Sequence, residues 1–183
     1  MVVKGKISSS MKIMTAVFLL LCHFSLNCFA QYNENVIKAA YIERITRFVE
    51  WPPGDSLFSH NQFVIDIYNE DEFYYTLSEA FRDKPIKGHI VKIIPVKNAE
   101  EIRTCNLCYI SEKARSLIKD FIATANTSGV LLISGTTGFC KAGVHINFYL
   151  EDEKLKFEIN EKSLGSAGFK VSYLLLQNTR IIQ

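Results

Sequence analysis

Once the first thirty residues are set aside, the sequence has almost no excess charge. Those residues carry Lys4, Lys6 and Lys12 and no acid, so 18 of the 21 basic residues are left to face all 19 acidic ones. A remainder one charge below neutral leaves no electrostatic footprint for nucleic acid, and DNA or RNA binding is excluded. A second long apolar run is also missing. Beyond Ile13–Leu21 nothing approaches the roughly 20 residues that a spanning helix needs. There is no internal repeat, linker or low-complexity tract, and a single tryptophan, Trp51. The composition is 48% hydrophobic and 22% charged, which is that of a globular protein and excludes a disordered one. A length of 183 residues suits one well-cored domain.

Catalytic signatures are missing as well. Ser134 lacks the G-x-S-x-G elbow. His60, His89 and His145 have no metal-ligand spacing and are expected at the surface or on a hairpin. Asp66 and Glu158 occupy alternating strand positions with no partner that the sequence identifies. The C-x-x-C of Cys105–Cys108 runs into a strand, whereas a redox pair sits at a helix N-terminus. No second cysteine pair or spaced histidine completes a zinc site, so Cys108 is expected to be a small core residue. The stretch Gly135 to Gly143 leads into a strand, and Lys141 is not followed by Ser or Thr, so a phosphate loop is ruled out. Its glycines are expected to permit turns of positive φ between two strands. Thr136, Thr137 and Phe139 on this loop are candidate partner or ligand contacts. No catalytic residue, cofactor or metal ligand is assigned, and an enzyme is not expected.

The segment 1–30 reads as an export signal. A basic start leads into the apolar run, and Cys28-Phe29-Ala30 precedes polar Gln31-Tyr32-Asn33. Small residues three and one before the junction place cleavage after Ala30. Met11 serves equally well as a start. Neither Cys22 nor Cys28 follows the small residue usual for lipidation. The mature domain is then 31–183, with Cys105, Cys108 and Cys140. An odd number of cysteines in an oxidising compartment leaves at least one free thiol or an intermolecular bond.

Along the mature chain, Val36 to Pro53 is the most organised stretch. Ile37, Tyr41, Ile45 and Phe48, with Ala40 and Val49, predict one apolar stripe on a helix that Pro52 closes. Trp51 and Pro52 then stand where helix becomes loop, as a packed lid or as a recognition surface. Gln62–Tyr68 and His89–Val96 read as strands around a helix opening at Asp71, with Phe73, Leu77, Ala80 and Phe81 on one face. Leu107–Ser111, a helix over Glu112–Ala125 and Gly129–Ser134 form a strand–helix–strand unit that should be parallel. Val144 to Leu150 and Leu155 to Ile159 alternate and predict an antiparallel hairpin. Asn160 is placed as the cap of a last helix carrying Leu164, Ala167, Gly168, Val171, Leu174 and Leu175. The fold class is α/β, one domain with a mixed parallel and antiparallel sheet flanked by helices.

Four pieces in order resemble the YfiR family of bacterial periplasmic proteins: VIKAAYIERITRFVEWP, CNLCYIS, VLLISGTTGFCKAGVHINF and KLKFEINEKSLGSAGFKVSYLLL. They extend over about residues 36 to 178. The resemblance implies a non-enzymatic periplasmic regulator that binds the periplasmic domain of an inner-membrane diguanylate cyclase or sensor kinase. Cyclic-di-GMP signalling and biofilm formation would be its outputs, and an outer-membrane lipoprotein would sequester it. A homodimer stays open, and a small-molecule-binding module built on the 135–143 loop is the alternative. The family's namesake has two intramolecular disulfides. Cys105 and Cys140 match one member of each, but no cysteine lies between Gln31 and Thr104, and Asn147 stands at the other partner position. About five strand residues at roughly 3.3 Å each separate Cys105 from Cys140. A disulfide needs Cα atoms within about 7 Å, so no bond between them is expected.

Overall fold

A computed structural model describes residues 34–53, 61–177 and 179–182. The chain divides into Met1–Glu34 and Asn35–Gln183, and the fold is that of the second unit. The expected export segment and its expected cleavage site after Ala30 lie outside the described residues, as do residues 54–60.

Helix α1 spans residues 34–48 and runs directly into β1 (Val49–Glu50). It buries Ala39, Ile42, Ile45 and Val49 together with Asn35 and Thr46. This face lies about a quarter turn round from the expected stripe. Tyr41 and Phe48 are half-buried on its flank, while Ile37 and Ala40 are exposed. The apolar arc of α1 is wider than one stripe because the helix has neighbours on two sides, so spacing alone does not fix its centre. On one side Tyr41 meets Phe148 and Phe157, with ring centroids 6.0 and 5.4 Å away, and its hydroxyl donates to the Leu155 carbonyl at 3.2 Å. Pro52 is not what ends the helix. Val49 and Glu50 pair antiparallel with Val171 and Lys170, and the helix stops before them.

The main sheet is built from β2 (Gln62–Tyr68), β3 (Ile90–Val96), β4 (Leu107–Ile110), β5 (Leu131–Ser134), β6 (Ile146–Glu151), β7 (Lys154–Asn160) and a last strand, Arg180–Ile182. Their order is β3-β2-β4-β5-β6-β7 and then the last strand. β3, β2, β4, β5 and β6 run parallel; β7 returns antiparallel to β6, and the last strand follows β7. The hairpin turns on Asp152 and Glu153, both at positive φ, the geometry of a tight two-residue connection. Leu150 falls outside its buried face and is exposed.

Helices cover both faces. Phe63, Ile65, Ile67, Leu107, Tyr109, Leu131 and Ile133 pack with α1 and α2 (Asp71–Ala80), which brings Phe73 and Leu77. Cys108, Ile110, Val130 and Leu132 pack beneath α3 (Ile118–Ser128) and α4 (Phe139–Ala142). Burial on both sides explains why β4 and β5 show no polar alternation. Each isoleucine or phenylalanine sealed in this way contributes about 1.5–3 kcal/mol.

The expected helix over Glu112–Ala125 begins instead as a 3-10 turn, Glu112–Ala114, and α3 starts at Ile118 with Leu117 exposed. The segment 135–143 is not all loop, since α4 makes one turn between Gly138 and Gly143, both at positive φ. The expected last helix is broken into α5 (Glu161–Ser166), β8 (Lys170–Val171) and α6 (Tyr173–Leu176), and the last strand of the sheet, β9 (Arg180–Ile182), follows it. Gly168 is the cause. It sits at φ +82 past the end of α5, where Phe169 N–H donates to the Leu164 carbonyl and Gly168 N–H to that of Gly165. That is a Schellman closure, which stops a helix. Asn160 caps α5 as expected, accepting from Ser163 N–H at 2.8 Å. Among the described residues no helix is long and apolar enough to cross a membrane.

Candidate functional site

Trp51 lies at the amino ends of the parallel strands. Its indole N–H donates to the Asn106 carbonyl at 3.0 Å, and its ring stands edge-on to Phe63 and Phe169 at 5.5 and 5.9 Å. The Lys87 ammonium lies 5.4 Å from the ring centroid. Pro52 packs against Gly168, where a Cβ would meet it at 3.3 Å. Trp51 and Pro52 are each half-buried. Asn106, which sequence reading passed over, ties three strands: its N–H donates to the Val64 carbonyl, its side-chain oxygen accepts from Val64 N–H, and its carbonyl also accepts from Leu131 N–H. A polar residue between Cys105 and the apolar run of β4 was the available signal.

Thr136, Thr137 and Phe139 lie at the other end of the sheet, past the carboxyl end of β5. Thr136 and Phe139 are buried and Thr137 is exposed. The Ser134 hydroxyl donates to the Ile110 carbonyl at 2.8 Å and accepts from Thr136 N–H at 3.1 Å. The Phe139 ring lies 5.2 Å from the Arg115 guanidinium. Asn160 donates its amide to the Cys140 carbonyl, and the Ser163 hydroxyl to that of Gly143. Gly135 is needed for close approach, since a Cβ there would stand 2.9 Å from the Tyr109 hydroxyl and 3.5 Å from the Lys38 ammonium. Nearby, burial pushes the Glu70 carboxyl up against the pull of Lys38 and Lys113. The five candidate contacts therefore form two groups at opposite ends of the sheet.

The remaining perturbed groups are sealed in the core. His145 is fully buried, which corrects its expected place at the surface or on a hairpin. β5 and β6 are in register over only two residue pairs, so Leu132 N–H finds the His145 Nδ1 at 3.0 Å in place of a ladder carbonyl. Nε2 lies 2.9 Å from the Asn126 side-chain oxygen, and burial lowers the imidazole to about 3. Asp66, in mid-β2, is 3% exposed. Burial raises its carboxyl to about 6, partly offset by a hydrogen bond from the Cys105 thiol. Cys105, Cys108 and Cys140 are all free and buried. Burial, reinforced by Asp66, drives the first two thiols well up; burial and Glu158 push Cys140 to about 12. Such thiols are poor nucleophiles. Among the described residues no three His, Cys, Asp or Glu side chains are arranged to hold a metal ion.

Comparison with solved structures bears on the fold alone. The ABC domain of Streptococcus pneumoniae in complex with L-Trp superposes with a TM-score of 0.50 at 12% identity, covering 66% of this chain and 55% of its own. A conserved domain protein from Vibrio cholerae O1 biovar El Tor gives 0.52 at 9% identity, covering 70% and 57%. The chain thus spans little more than half the length of either. No curated protein matches the sequence. The profile of one family matches residues 35–180, from the first turn of α1 into β9. Taking in every element of the two-faced sheet, that match places the chain in the YfiR/HmsC-like family.

Proposed function

We propose that the protein is an exported signalling regulator. In this reading it binds the periplasmic portion of an inner-membrane diguanylate cyclase or sensor kinase, and so tunes cyclic-di-GMP output and biofilm formation. The observation that carries it is the extent of the family match, 35–180, in a family of periplasmic regulators. The placement of the ionisable groups is in keeping with it: Asp66, grouped with Cys105 and Cys108, and also His145 and Cys140, are sealed in the interior instead of lining a cleft. Sequestration by an outer-membrane lipoprotein, cleavage after Ala30 and self-association belong to the same reading. Affinity capture of the tagged full chain from its native membranes tests it. Recovery of an inner-membrane protein with a cyclase or kinase output module is expected; recovery of none would overturn it.

A small-molecule-binding module is the second reading, and the strand order favours it. β2 is flanked by β3 on one side and β4 on the other, so the chain reverses direction across the sheet there. The carboxyl ends of strands at such a switch point part into the crevice where open α/β sheets bind ligands. The 135–143 segment opens two strands away, and the S. pneumoniae domain of similar fold was solved with L-Trp. A ligand held only by the folded state raises the melting temperature. A shift of several degrees with L-tryptophan or another periplasmic metabolite would establish this reading, and no shift with any would remove it.

A further inference from the structure

The lysines around β3 have no counter-charge. From Lys84 to Lys97 the chain carries Lys84, Lys87, Lys92 and Lys97 and not one acidic residue. Elsewhere in residues 31–183, 14 basic residues face all 19 acidic ones, so a near-neutral total conceals a basic segment in an acidic chain. All four lysines are exposed, and none forms an ion pair among the described residues. β3 stands at one end of the strand order and pairs with β2 alone among the named strands. Lys92 lies on it beside Ile90, which is 68% exposed, while Val91, Ile93 and Ile94 are half-buried. Lys84 and Lys87 precede the strand and Lys97 follows it, with the Lys87 ammonium over Trp51. The charges are strung along an edge about 20 Å long, seven residues at roughly 3.3 Å each. Lysine and proline on an edge strand keep other strands away, a role that Lys92 and Pro95 fit. That role leaves the three lysines outside the strand unexplained. It also argues against an added strand as the occupant, and like charge argues against a second copy meeting edge to edge.

We infer that the β3 edge rests on an anionic phospholipid surface. The lysines reach the headgroup phosphates on their flexible stems, and Ile90 sits among them at the interface. Each lysine close to such a surface raises partitioning about fivefold. The excess acid on the rest of the chain turns this edge toward the bilayer and the other surfaces away from it. The contact is peripheral and reversible. It goes beyond the regulator reading, because it holds the protein on a bilayer through a surface that no protein partner has to touch.

The test is co-sedimentation with vesicles of phosphatidylglycerol and phosphatidylcholine, against vesicles of phosphatidylcholine alone. Residues 31–183 are used, since every named strand and both core clusters lie within Asn35–Gln183 and the basic, apolar segment 1–30 would bind vesicles by itself. Two variants lose the same charge. One combines Lys84→Gln, Lys92→Gln and Lys97→Gln at the edge; the other combines Lys119→Gln, Lys141→Gln and Lys162→Gln, all exposed and away from β3. Wild type and the second variant should bind the mixed vesicles and be released by about 0.5 M salt. The edge variant should bind at least tenfold more weakly with an unchanged melting temperature. Equal binding by the two variants, or wild-type binding to phosphatidylcholine as strong as to the mixture, overturns the inference. Binding to native inner membranes but not to protein-free vesicles also overturns it, because the occupant is then a protein, such as an acidic strand. None of these results touches the regulator reading, which falls only if affinity capture recovers no such membrane protein.

Discussion

His145 and Asp66 are buried ionisable side chains on which protons act with opposite signs. His145 is neutral in the fold, with its imidazole at about 3, but takes a proton on unfolding below 6.5. Its contribution is whole above pH 6.5 and is lost as pH falls toward 3. Asp66 is the reverse. Its carboxyl is raised from 3.8 to about 6, so its contribution is whole below 3.8 and is lost as pH rises through 6. Between about pH 4 and 6 the two offset each other. Asp66→Asn removes one side of the balance. Relative to wild type, the variant should lose about 1.4 kcal/mol per pH unit on acidification through that window, read from urea melts. A difference that does not change with pH would contradict the buried carboxyl. Trp51 is a second residue-scale case. Trp51→Ala should cost about 3 kcal/mol by opening space between Phe63 and Phe169. Trp51→Phe should cost about 1 kcal/mol, because the Asn106 carbonyl keeps Leu131 N–H as a donor. A Trp51→Ala protein that melts like wild type and yet loses its partner would make Trp51 a contact residue.

At the scale of elements, β2 was legible to the residue because five of its seven residues are β-branched or aromatic and it lies between clear breaks. The last helix was misread because its apolar spacing runs on through Gly168, and spacing does not report which glycine is left-handed. Gly168 and Gly165 separate these effects. Gly168→Ala must adopt φ +82 against Pro52 and should cost at least about 1 kcal/mol. Gly165→Ala lies inside α5 with nothing within 4 Å of its Cβ, and should gain about 0.5–1 kcal/mol. Equal effects at the two sites in thermal melts would remove the explanation for the break. The rotation of α1 was hidden for a related reason. Apolar residues surround more than half of that helix, and only the positions of α2 and the β6–β7 hairpin decide which of them face the core.

Across the whole molecule, the two-faced sheet could be read from the unbroken apolar character of β4 and β5. What could not be read was the pairing of β1 with β8, which swings Trp51 to the amino ends of the strands, or the approach of α2 to α1. Both depend on contacts between segments far apart in sequence, which local patterns do not encode. The two-faced sheet also fixes the fate of the thiols. Cys105, Cys108 and Cys140 are fully buried and should resist iodoacetamide in the native protein while reacting completely in denaturant, mapped by peptide mass spectrometry. Native labelling at any of the three would contradict the sealed core. The most direct measurement of regulation by an exported protein is cellular cyclic-di-GMP in three strains: one without the protein, one with the full chain, and one with residues 31–183 alone. Loss should raise the level several-fold, and only the full chain should restore it. Equal levels in all three, or restoration by the unexported chain, would contradict it.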